Sequence, residues 1–579
     1  DNALNANTTG YHNSAVGYQA LKSNTTGHHN TATGYQSLMD NTTGTYNTAV
    51  GHSSLKSNTT GYENTASGVY ALYENTTGYQ NTAIGDGALW KNTTGANNTA
   101  IGDDSLKVNT TGSTNTAVGA SSLEANTTGY WNTAIGNESL QANTTGNYNT
   151  AIAAHSLEAN TTGYSNTAIG TYSLKENTTG YRNTAIGIDS LQENTTGYNN
   201  TAIGVFALEE NTTGYKNTAT GAFSLEANTT GSWNVANGYL SLANNTTGYD
   251  NTATGTWSLW KNTTGHSNTA IGLVSLRDNT TGTKNTAVGS ESLRYNTTGS
   301  YNTALGQAAL KLNTTGTNNV AVGYESLKAN ITGEQNVALG YRSLYTNTIG
   351  DQSTAIGYRA LEVQEPASNA NMVNVALGFN SMVLTTTGVA NTALGTYTLV
   401  SNTTGGYNTA LGEGALNAST TADRNTGSGF RSLYITTGSG NTAYGSNSGD
   451  NLTTGTNNTL LGYVSDASSV SGTNQIAIGY NATGHGDNIA VIGNTDMTAW
   501  HPADDNGVDL GSSSYEFKDL YVDGVAYVDG LDLNGTTVSA TAAELNIMDG
   551  VTATATELNL IDGVTATTAE LNIMDGVSA

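Results

Sequence analysis

The hydrophobic positions of this chain recur every seventeen residues. Leucine falls at Leu4, Leu21, Leu38, Leu55, Leu72 and Leu89, and a β-branched residue at Val16, Val50, Ile84, Ile101, Val118 and Ile135. Polar positions keep the same register. The Asn of an NTTG tetrapeptide stands at Asn7, Asn24, Asn41, Asn58, Asn75 and Asn92, runs in step to Asn313, and continues through NITG (Asn330) and NTIG (Asn347). A fixed period of this size marks a repeat architecture in which each unit is one layer. Seventeen residues with two glycines and no helical stripe are too few for a helix pair and suit one coil of a parallel β-solenoid.

Within a unit, NTAIG reads as a short strand. Its Thr position becomes Val235, Val320, Val337, Val375 and Ile476 in other units. That exchange of near-isosteres predicts an inward-facing position, and alternation puts the Ile two residues on along the same inward face. The Leu of the following SL step supplies a second inward column. The Gly after Ile and the Gly of NTTG are expected at corners that need positive φ or close approach of the next coil. One coil alone buries almost nothing, whereas stacked coils pair every strand with its neighbours and bury continuous columns. The Asn of NTTG is expected to form a ladder of side-chain amides. About 28 coils at ~4.8 Å each predict a rod on the order of 130 Å long.

The register holds to about Gly479 with two defects, both in the turn region. QEPA near Pro366 adds four residues, and the unit around YITTG (434–438) is one residue short. The segment GYNATGHGDNIAVIG steps fourteen residues, from Gly479 to Gly493, and a thirteen-residue repeat then runs through Glu544, Glu557 and Glu570. The expected division is a seventeen-residue-repeat shaft over 1–479, a transition coil over 480–500, a connector over 501–540 and thirteen-residue repeats of the ELNIMDG type over 541–579. In those last repeats Thr541, Thr554 and Thr567 each precede a Glu by three residues, a capping-box spacing. A helical turn followed by a strand, a tighter solenoid and an intertwined trimer all remain open for this small mixed region.

Composition narrows the partners. Of 579 residues 70 are Gly, 2 are Pro and none is Cys, so neither a disulfide framework nor a thiolate metal site exists. A net charge of −26 disfavours nucleic acid, whose phosphates need a basic surface, and keeps a long repetitive object soluble. No apolar run is long enough to insert in a membrane. The chain opens at DNALNANTTG, without Met and in mid-repeat, and is read as a processed chain or a fragment.

The segments NTAIG, NVAVG, NVALG and NQIAIG resemble the head repeats of trimeric autotransporter adhesins, whose units are typically fourteen residues rather than seventeen. That resemblance implies a β-roll assembled as a homotrimer. DNGVDLGSSSYEFKDLYVDG (505–524) is similar to a segment common in bacteriophage tail fibres, and TAAELNIMDGV and its two copies are similar to repeats in structural proteins of marine and cyanobacterial phages. Together these imply a tail fibre shaft in a virion, a structural protein that presents or contributes to host attachment. Its partners would be copies of itself, other virion or filament subunits, and host-surface polysaccharide or protein. The alternative is a bacterial or archaeal cell-surface adhesin or extracellular filament subunit, glycosylated on its NTT column.

No nucleophile elbow, P-loop or dinucleotide fingerprint is present, and a repeated rod offers no cleft for paired carboxylates. The expectation is no enzyme activity, no catalytic residue, no cofactor and no metal. His12, His28, His29, His52, His155, His266 and His485 occupy variable positions and read as solvated side chains. Two surface features are candidates for binding or modification. An aromatic follows NTTG at Tyr11, Tyr62, Tyr79, Tyr130, Tyr164, Tyr181, Tyr198, Tyr215 and Tyr249, either a stacked column shielding a corner or a glycan-contact stripe. Asn7, Asn24, Asn41, Asn58, Asn75 and Asn92 are formally glycosylation sequons.

Overall fold

The computed structural model describes residues 2–368, 370–503, 508–527, 532–533 and 536–537. The thirteen-residue repeats of 541–579, and most of the connector beyond 527, lie outside the described residues. The chain divides into two units, Asp1–Met497 and Thr498–Ala579.

The first unit is a parallel β-solenoid. Twenty-nine strands of three residues each, from β1 (Ser14–Val16) to β29 (Ala490–Ile492), form one sheet. Each strand pairs in parallel with the next along the chain, as Thr167 with Thr184, Ala168 with Ala185 and Ile169 with Ile186. Among the described residues none lies in a helix, and no helix is long and apolar enough to cross a membrane. Pairing is not confined to the strands. The Leu21 N–H donates to Ser37 O (3.1 Å), Thr25 N–H to Thr42 O (2.9 Å) and Gln36 N–H to Tyr18 O (2.8 Å), so the turns also ladder from coil to coil. Buried backbone polar groups need such partners, and here the neighbouring coil supplies them.

The strand face is the reverse of the sequence expectation. In almost every strand the central Ala is fully buried, as at Ala32, Ala168 and Ala338, while the flanking Thr and Ile sit half-buried or exposed. Ile84, Ile101 and Ile135 are 42, 38 and 39% exposed. Alternation did place Thr and Ile on one face, but that face looks outward. The reason is the cross-section. The buried Leu column shares the interior with the strand's central column, and the space left fits a methyl group. Successive coils exchange the two sizes: Gly449 replaces the leucine that follows one strand, Leu460 replaces the alanine of the next strand, and a Cβ on Gly449 would lie 3.1 Å from Leu460 Cδ1.

The Leu column is buried as expected, but in an uncommon backbone state. Leu21, Leu174 and Leu327 have φ of 48°, 51° and 49°. A second left-handed residue lies two positions earlier, as Tyr172 at 59°, and a third seven or eight positions after Leu, as Arg182 at 54°. Each left-handed L-residue costs roughly 1–2 kcal/mol, offset here by the burial and cross-coil hydrogen bonding that the sharp corners permit. The corner Gly after the strand has φ near 135°, as at Gly187, where an added Cβ would meet the backbone of Gly204.

The two length defects and the fourteen-residue step leave the sheet intact. Thr354 pairs with Val375, Thr426 with Thr442, and Ile476 with Ala490. The extra residues near Pro366 add an isolated bridge, Asp351 to Asn371. In the second unit the described residues include one antiparallel pair, β30 (Asp532–Leu533) with β31 (Thr536–Thr537).

Candidate functional site

Four exposed or buried columns of this solenoid carry the chemistry. The first is the NTTG asparagine. Asn177 Nδ2 donates to Asn160 Oδ1 (2.8 Å) and to Gly180 O (3.0 Å), and the same pattern repeats from Asn24 to Asn330. Asn24, Asn41, Asn58, Asn75 and Asn92 are fully buried, whereas Asn7 is exposed. A glycan on Nδ2 would displace one of two committed hydrogens and would have no exit, so five of the six candidate sequons are closed to modification in the folded coil.

A second ladder, from the Asn that opens NTAIG, was not singled out by sequence. Asn47 Nδ2 donates to Gly61 O (2.8 Å), and Asn47 Oδ1 accepts the Asn64 N–H (3.0 Å). Its sequence signal was the near-constancy of that Asn beside a variable flank. The first Thr of NTT is also engaged, Thr25 Oγ1 donating to Thr42 O (3.0 Å).

The tyrosine column stacks in blocks. Tyr62 and Tyr79 rings lie 4.9 Å apart, and Tyr164, Tyr181, Tyr198 and Tyr215 form a continuous ladder at 4.9–5.0 Å. Tyr11 stacks on His28 (4.6 Å), Tyr249 on His266 (4.5 Å), and Tyr130 meets Tyr148 edge-on. Stacked rings cover one another's faces, so an incoming ring finds an aromatic face only where the ladder breaks. Ser232 makes such a break. An open notch of about 580 Å³ there is bounded by Tyr215, Trp233, Tyr249 and Asp250.

The fourth column is the outward β-branched stripe. Val16, Ile101, Ile203, Leu305 and Leu394 are 65, 38, 39, 47 and 45% exposed. No strand of the sheet contains a charged residue, although the chain carries 44 acids and 18 bases. The sheet face is therefore a charge-free, partly apolar strip along the whole solenoid.

Near the end of the solenoid, Asp466 stands where the Leu column runs, its N–H donating to Ala482 O (2.8 Å). Burial pushes its carboxyl up to about 6, with Asp450 adding to the rise and the Asn451 N–H opposing it. Because the folded state holds the proton more tightly than the unfolded chain, the protonated form favours folding, and that contribution is lost as pH rises through about 6. Lowering pH from 7 to 5 is expected to raise amide-exchange protection in the last coils, after correction for intrinsic exchange. Asp466→Asn should raise protection at pH 7 and remove the dependence; equal pH dependence in both proteins would contradict this.

A scan against protein-family models and a search of curated proteins find no match to the chain.

Proposed function

We propose that the chain is the shaft of a homotrimeric adhesive fibre, a tail fibre that holds a receptor-binding element away from a virion and contributes to host attachment. The observation that carries this reading is the outward Ile/Val/Leu stripe on a sheet free of charge. Monomeric soluble proteins rarely leave large contiguous apolar patches open. In-register parallel copies would set stripe against stripe at every coil, leaving the acidic turns in water. Rigidity follows from the continuous ladders, and the tail-fibre-like segment at 505–524 supplies the virion context. The notch at Ser232, with tyrosine faces and Asp250 beside it, suits contact with surface polysaccharide.

Sedimentation of the full chain tests the assembly. A mass three times that of one chain is expected. Ile186→Asp with Ile203→Asp should give a folded monomer, because both side chains point away from the interior. A wild-type monomer would overturn the trimer. Immunogold labelling of virions with antibody to the solenoid tests location; label confined to cell surfaces or free filaments would favour the adhesin reading instead.

A further inference from the structure

Two neighbouring coils bring three metal-ligating side chains to one point. His155 Nδ1 lies 3.3 Å from Glu138 Oε2 and 3.1 Å from Glu158 Oε2, and the three ligand atoms fall within 4.8 Å of one another. Glu138 follows β8 (Thr133–Ile135), and His155 and Glu158 follow β9 (Thr150–Ile152), so the cluster spans successive layers.

The same two columns hold ion pairs at other coils, where an acid meets a permanent cation; Asp189, Glu209 and Glu226, also in these columns, make no such pair among the described residues. Asp104 pairs with Lys107, Glu291 with Arg294 and Lys311, Glu325 with Lys328 and Arg342, and Glu362 with Arg359. At 138–158 the arrangement differs in kind. Two carboxylates converge on one imidazole nitrogen. That nitrogen carries at most one hydrogen, which can lie toward only one of the two carboxylates at a time. The nearby base, Lys175, is turned to Glu176, its Nζ 3.3 Å from that carboxylate.

We propose that Glu138, His155 and Glu158 bind a divalent transition-metal cation, with Zn²⁺ the best match. Zn–N and Zn–O bonds of about 2.0–2.2 Å in a tetrahedron separate ligand atoms by roughly 3.3–3.5 Å. The observed 3.1 and 3.3 Å need only small side-chain rotation. One nitrogen and two carboxylate oxygens leave a fourth position for water, which the exposure of these side chains, 26–35%, admits. The imidazole donor selects against Ca²⁺ and Mg²⁺, which take oxygen ligands. The Tyr172 ring, stacked on His155 at 5.2 Å, holds the imidazole plane. The ion would cross-link the coils of β8 and β9, where the corner residue is Ala153 at φ 113° instead of Gly.

The test is equilibrium dialysis of the full chain at pH 7.5 against Zn²⁺ and, separately, Ca²⁺, with metal quantified per chain. The comparison variant is His155→Lys, which sets a permanent cation between the two acids, as Lys328 and Arg342 stand against Glu325, and should fold, as circular dichroism would verify. One more tight Zn²⁺ per chain is expected in the natural protein than in H155K, with at least tenfold stronger binding and no matching Ca²⁺ site. Glu158→Gln should weaken Zn²⁺ at least tenfold as well. Equal Zn²⁺ stoichiometry and affinity in the natural protein and H155K, or Ca²⁺ binding as tight as Zn²⁺, would overturn the assignment.

Discussion

Leu174→Ala is expected to destabilise the solenoid by about 2–5 kcal/mol, the usual range for a buried leucine truncated where the surroundings relax incompletely. Leu174 is fully buried, and the coils above and below hold Leu157 and Leu191 in register, with Ala168 beside it on the strand. The neighbours are fixed by hydrogen bonds on every side, Leu174 N–H donating to Ser190 O at 3.0 Å, so collapse into the cavity is restricted. The truncated residue also keeps its left-handed φ of 51° without the burial that offsets it. In a stacked repeat the loss acts at two interfaces at once, because each layer contacts only its neighbours. Urea unfolding should therefore split into two transitions, and limited proteolysis should cut near residue 174. A single transition with an unchanged midpoint would contradict the interior assignment.

Asn177→Ala is expected to cost on the order of 4 kcal/mol. Its Nδ2 donates to Asn160 Oδ1 and Gly180 O, and its Oδ1 accepts the Asn194 amide at 2.7 Å. Truncation strands Asn160 Oδ1 and one Asn194 amide hydrogen in a buried place, each worth about 1–3 kcal/mol when left unpaired, while Gly180 O keeps the Asn166 amide at 2.8 Å. Asn7→Ala is the control, since Asn7 is exposed and water can replace its contacts with Gly10 and Asn24. Chemical denaturation of both variants should show a large shift for N177A and a small one for N7A. Equal shifts would mean that the ladder contributes no more in the interior than at the surface.

The seventeen-residue period, the buried Leu column, the corner glycines and the NTTG amide ladder could be read from the chain, because each depends only on which residues lie one coil apart. The facing of the strand could not be read from alternation. Period two says that Thr and Ile share a face and leaves open which face it is. The deciding signal was the contrast in tolerance. The outward Ile position accepts Ser67, Asn237 and Tyr444, while the central position stays Ala except where Gly427, Leu460 or Val491 stands. Thr–Val exchange was a misleading guide, since a half-exposed sheet surface favours both β-branched residues. The positive φ of the leucines was hidden for a different reason: left-handed backbone is costly for Leu and is imposed by the stacked coils, not by local preference. His155 looked like an isolated surface histidine because its partner Glu138 lies seventeen residues away, and only the register brings them together.

Spin-label distances along one exposed column measure coil-over-coil stacking most directly. The chain has no Cys, so Thr60→Cys paired with Thr145→Cys or with Thr230→Cys gives unambiguous labels, diluted with unlabelled chain to suppress contacts between copies. These exposed threonines are five and ten coils apart in register. Distances of about 24 and 48 Å, scaling linearly with coil number at about 4.8 Å per coil, are expected. Distances that fail to double, or that spread broadly, would mean that the layers do not lie over one another along a single axis.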